Sequence, residues 1–145
     1  MNDNKINFRT PRTVSGTVME GVVGVLVLIL WVLIICLSRT ATPDATQTLV
    51  VIGIQSTILA PLMMVLCYFP KTFNIPKCNP RAEHYLLSIQ LVRIVCIFVM
   101  LIMIALAWMT GRPDDAKTVE GLQAVLVCGL LLTVGYYTFK ILRLN

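Results

Sequence analysis

Apolar residues in this chain are gathered into four long runs, without the alternation that marks a half-buried strand or the single apolar stripe of a water-exposed helix. The runs are Val18–Leu37, Leu49–Phe69, Tyr85–Met109 and Val119–Phe139, and few charges interrupt them. At about 1.5 Å per residue, twenty residues of helix reach ~30 Å, the thickness of a bilayer's hydrocarbon. Lipid offers no partner to backbone N–H and C=O groups, so runs of this length are expected to be helices. The pattern therefore predicts an all-α membrane protein: four transmembrane helices in an up-down bundle. A single transmembrane domain over 18–139 would lie between a polar tail, 1–17, and a short C-terminal tail, 140–145.

The polar positions supply the connections. Ser38–Thr48 holds the turn signal Pro43-Asp44, and Thr110–Thr118 holds Gly111 and Pro113. Pro70–His84 is basic and rich in proline, which excludes a continuous helix there. Asn79-Pro80 followed by Glu83 reads as a helix start, with an N-cap, a proline at the first position and an acid near the positive dipole end. Pro61 interrupts the second run and predicts a kink. Eight basic residues fall in the two tails and the middle connection (Lys5, Arg9, Arg12, Lys71, Lys77, Arg81, Lys140, Arg143), against three in the other two connections (Arg39, Arg112, Lys117). That bias places both termini in the cytoplasm.

Composition agrees with a lipid solvent: of 145 residues, 57% are hydrophobic and 13% charged, with a mean hydropathy of +0.83. A soluble domain carries about 25% charged residues. The net charge of +5 follows from topology and needs no nucleic acid as partner. Five cysteines (Cys36, Cys67, Cys78, Cys96, Cys128) form no CxxC or Cys/His spacing; four sit in or beside apolar runs, where cysteine acts as a small hydrophobe. The first run is longer than the core of a signal peptide and lacks a small-x-small site after it, so it is expected to remain as a span.

Charge inside the runs is the candidate chemistry. Arg93 lies eight residues into the third run, and Gln90 stands one turn earlier on nearly the same face. Ionisable groups in such runs face protein or water. Glu20 sits near the start of the first run, which would point the same way as the third, so two readings stand: a Glu20–Arg93 pair with Gln90 as a polar neighbour, or an Arg93 that snorkels with Glu20 among the headgroups. Gly121, Ala124, Cys128 and Gly135 form a small-residue stripe on the fourth helix, of the kind that packs against a neighbour. His84 reads as an interfacial polar residue, Gln55 and Ser56 as helix–helix hydrogen bonders, and Trp31 as a packing residue too deep for the interface. No nucleophile with a base, phosphate loop or zinc spacing occurs, so neither catalysis nor a cofactor or metal site is expected.

Phe69-Pro70, Phe73-Asn74-Ile75-Pro76, Arg81–Tyr85 and the helix Leu86–Arg93 together resemble a run in small bacterial membrane proteins. It is similar to the uncharacterised domain that precedes the SdpI-type immunity domain, over about Thr13–Met109. Where that family carries a proline- and histidine-containing stretch outside the membrane, this chain has Ser38–Thr48, with only Pro43 and Asp44 in common. The resemblance implies a four-helix protein of the bacterial inner membrane and supplies no catalytic residue. Its function would be non-enzymatic: immunity to, or signalling of, a membrane-active peptide. The alternatives are a small proton-coupled transporter using Glu20 and an accessory subunit of a larger membrane complex. The bilayer is the expected partner throughout, with a homo-oligomer or a larger complex as further assembly.

Overall fold

The computed structural model describes residues 13–69 and 82–144. Within them, α1 is Val14–Ser38, α2 Pro43–Leu66, α3 Ala82–Gly111 and α4 Ala116–Arg143, with a 3₁₀ turn at Pro113–Asp115 before α4. All four regions have helices long and apolar enough to cross a membrane.

Each helix runs past the apolar segment that announces it. Thr13 caps α1, its hydroxyl accepting from the Gly16 N–H at 3.2 Å. Thr42 caps α2 in the same way, accepting from Ala45 at 3.4 Å, with Pro43 at the first position and Asp44 in the first turn. Thr-Pro-Asp is thus a helix start, not only a turn. The first connection shrinks accordingly, and much of Ser38–Thr48 belongs to α2. Beyond α2, Cys67–Phe69 continue as a terminal turn, with Tyr68 and Phe69 N–H groups bonded to Val65 and Leu66. The part of the basic connection at 70–81, including Cys78 and Asn79-Pro80, lies outside the described residues, as do 1–12 and 145.

A seven-residue repeat organises the interior. On α1 the inward positions are Gly16, Val23, Leu30, Ile34 and Leu37; on α2 they are Leu49, Gly53, Ser56, Ala60 and Cys67; on α3, Ile89, Arg93, Cys96, Met100 and Ala107. Alternating steps of three and four residues keep one seam facing its neighbours, as in a coiled coil. Small residues on these seams let the helices close up. A Cβ on Gly53 would stand 2.8 Å from Ile34 Cδ1 and 3.1 Å from Trp31, and one on Gly111 would stand 2.7 Å from Leu37. In lipid this packing and interhelical hydrogen bonds must hold the helices together, because tails outside are as apolar as the core.

Register follows from the contacts. Glu20 meets Tyr68 and Trp31 meets Thr57; eleven residues separate the two contacts along each chain segment, in opposite senses, so α1 and α2 run in opposite directions. Gly16 meets Arg93 and Leu37 meets Gly111, so α1 and α3 run the same way. Phe98 packs on Gly129, and His84 Nε2 lies 3.3 Å from the Leu144 carbonyl. α4 leans on α3 and on its preceding turn, with no comparable contact to α1 or α2.

Two sequence expectations shift here. His84 is buried within the protein (1% exposed), beneath the end of α4, rather than facing outward. Gln55 faces outward and the Ser56 hydroxyl has no partner among the described residues. The interhelical hydrogen bond comes instead from Thr57, which accepts from Trp31 Nε1 at 2.8 Å and donates to the Gly53 carbonyl. Trp31 therefore packs, as its depth suggests, and also bonds.

The close approach at Gly53 makes a prediction. Gly53→Val should destabilise the folded protein by about 1–3 kcal/mol, whereas Gly121→Val, with nothing within 4 Å of its Cβ, should change it by less than about 0.5 kcal/mol. Unfolding titrations in mixed detergent micelles compare the two.

Candidate functional site: a buried arginine cluster

Three helices converge at Arg93. The seam of α3 turns this residue inward, and it is 5% exposed. Its Nη2 lies 3.5 Å from Glu20 Oε1. The same carboxylate oxygen accepts a hydrogen bond from the Tyr68 hydroxyl at 2.5 Å. Cys67, fully buried, lies beside the guanidinium from the terminal turn of α2. The cluster thus ties α1, α2 and α3 at one level of the bundle.

Gly16 is what allows this. A Cβ there would fall 2.5–2.6 Å from the guanidinium atoms of Arg93, so the guanidinium in this position occupies the space that the missing side chain on α1 leaves open. Gly16 and Glu20 are four residues apart, hence on one face of α1, one seating the cation and the other neutralising it. The pair is asymmetric: the Arg93 side chain is 7% exposed and that of Glu20 29%. A 3.5 Å contact is longer than the 2.7–2.9 Å of a strong charge-assisted bond. Arg93 Nε has no acceptor among the described residues, although a guanidinium brings five N–H donors.

Of the residues expected at this site, the structure brings Glu20 and Arg93 together. Gln90 faces outward, away from the buried guanidinium. Tyr68, Cys67 and Gly16 complete the cluster and were not expected there. Gly16 carried a readable signal, a small residue one turn before an acid on the same face; Tyr68 carried none, because its arrival depends on how α2 is set against α1.

The stripe on α4 is placed differently from its expected role. Gly121, Ala124, Cys128 and Gly135 all face outward, and Cβ atoms on Gly121 or Gly135 would meet nothing within 4 Å. α4 packs on α3 through another face, where Gly129 admits Phe98 at 3.1 Å. No group of metal-binding side chains occurs among the described residues.

Comparison with protein-family models, with curated proteins and with solved structures finds no match for this chain. The four long apolar helices make it a multi-pass membrane protein by length and composition.

The cluster predicts coupled losses. Glu20→Gln and Arg93→Gln should each destabilise the protein, and the double variant should recover about 1–3 kcal/mol relative to the sum. Tyr68→Phe should cost about 1 kcal/mol. Detergent unfolding of the four proteins measures the coupling; strictly additive losses would show that the pair contributes no net interaction.

Proposed function

We propose that this protein acts without catalysis, as a bacterial inner-membrane protein that binds a membrane-active peptide and so confers immunity to it or signals its presence. Its helices then form an up-down bundle with both termini in the cytoplasm. The carrying observation is the position of α4. Among the described residues it packs mainly on α3 and turns Gly121, Ala124, Cys128 and Gly135 outward, leaving a low-relief face in lipid against which a helical peptide can lie. The resemblance around Phe69–Arg93 supports the same class of role.

The same face favours a second reading, docking on a larger membrane complex as an accessory subunit. Proton-coupled transport through Glu20 is less well supported, because its carboxylate is already engaged by both Arg93 and Tyr68.

Cells lacking the gene should become more sensitive to at least one peptide in a panel of membrane-active bacteriocins. Complementation with Gly121→Leu/Gly135→Leu should fail to restore resistance although the protein accumulates normally. Unchanged sensitivity across the panel, with a stable partner recovered in mild detergent through the same face, would favour the accessory-subunit reading. Proton-driven export of a cationic dye from proteoliposomes, abolished by Glu20→Gln, would favour transport.

A further inference from the structure

Helix α2 carries two seams. The inner one, Leu49, Gly53, Ser56, Ala60 and Cys67, closes on α1 and α3. The outer one is Val51, Gln55, Ile58, Leu62 and Val65, at steps of four, three, four and three residues. That is the spacing by which one helix meets a parallel partner along its length. All five side chains are exposed, and the four apolar ones retain 51–63% of their surface.

Gln55 is the polar member of this seam. It lies seven residues past Thr48, about 10 Å of rise, and thirteen before Tyr68, about 20 Å. Tyr68 is level with Glu20 near one end of the bundle, and Thr48 belongs with the polar residues that open α2 at the other. The carboxamide therefore sits well inside the thickness that hydrocarbon covers, out of reach of water on either side. The other outward polar residue in this stretch, Thr57, has its hydroxyl engaged by Trp31 and by the Gly53 carbonyl. Gln55 makes no hydrogen bond among the described residues.

Lipid offers a carboxamide nothing to bond, and polar side chains inside a membrane join helices by bonding across them. A partner for Gln55 must bring a donor and an acceptor to the same depth. A second carboxamide does both, since its oxygen accepts and its NH₂ donates. Two-fold symmetry supplies one without any new residue. Copies inserted with the same orientation are related by an axis along the membrane normal, so their α2 helices run parallel and a residue on the axis faces itself.

We propose that the outer seam of α2 is a dimerisation surface whose partner is the α2 of a second copy, with Gln55 bonded to Gln55 of the partner subunit at its centre. Each carboxamide donates to the other's oxygen, and Val51, Ile58, Leu62 and Val65 pack against their counterparts on either side. No charge interrupts the seam, and Pro61 stands beside it, not on it. A single polar residue in an apolar seam also fixes register, because a shift of one turn would leave both carboxamides in lipid. The α4 face proposed for peptide binding belongs to another helix, so the two readings stand or fall separately.

The full chain, labelled in two colours at its N-terminus and reconstituted in phosphatidylcholine vesicles over a range of protein-to-lipid ratios, reports association by energy transfer. Transfer should follow a monomer–dimer equilibrium. Gln55→Leu should weaken it about fivefold, the equivalent of one interhelical hydrogen bond in lipid, and should leave the thermal midpoint of the monomer in detergent unchanged. Gln55→Asn, which keeps the amide, should retain more association than Gln55→Leu. Under copper-catalysed air oxidation Ile58→Cys should link two copies through the introduced thiol, whereas the outward Cys128 of α4 should not link to its counterpart; mass spectrometry of the linked peptides tells them apart. Absence of transfer at every ratio overturns the proposal and leaves the face to lipid or to a different protein. Association that Gln55→Leu does not weaken, or linkage through Cys128 in place of Ile58→Cys, overturns it as well.

Discussion

The contact on which the architecture turns is that of the Arg93 guanidinium with Gly16. An arginine pointing into a bundle of apolar helices is tolerated only if its charge finds both room and a counter-charge. The missing side chain at Gly16 supplies the room, and Glu20, one turn along the same face, supplies the charge. Tyr68 fixes the carboxylate from α2. Moving any one of these by a turn would leave either a clash or an uncompensated ion, so the cluster sets the register of α1, α2 and α3 at that end.

At the other positions the register is kept by surface relief. Gly53 receives Trp31 and Ile34, Gly111 receives Leu37, and the Trp31–Thr57 hydrogen bond lies on the same α1–α2 seam as the Tyr68–Glu20 bond. Pro61 falls four residues after Thr57, so it removes the helical partner of the Thr57 carbonyl. The Thr57 hydroxyl, by contrast, is engaged on both sides, with Trp31 and with Gly53. Three helices thus form a closed unit, and α4 is added to it through α3. A protein built this way can alter what α4 touches while the polar cluster stays intact.

Helix stagger gives the cluster its chemical character. If all four helices began at one level, Arg93 would lie well inside the hydrocarbon. Because α1 starts beside it and α2 ends beside it, the guanidinium is at one end of the three-helix unit while remaining buried in protein. Burial keeps it unscreened by water, which strengthens its attraction to Glu20.

Four helices, their membrane length and the pairing of Glu20 with Arg93 were legible in the sequence, because a bilayer imposes a length on apolar runs and a cost on unpaired charge. The seven-residue seam was present but hidden: with outward positions such as Val25, Leu28 and Val32 as apolar as inward Leu30, hydrophobicity cannot distinguish lipid from core. For the same reason the small-residue stripe of α4 looked like a packing face, and only the fold showed that Gly129 meets Phe98 while Gly121 and Gly135 turn away. Tyr68 and His84 owe their partners to contacts across 48 and 60 residues of chain, set by relative helix translation. The chain therefore determined by itself how many helices there are and which charges could meet. The offsets between helices, fixed by where glycine lets one approach another, were decided by the tertiary structure alone.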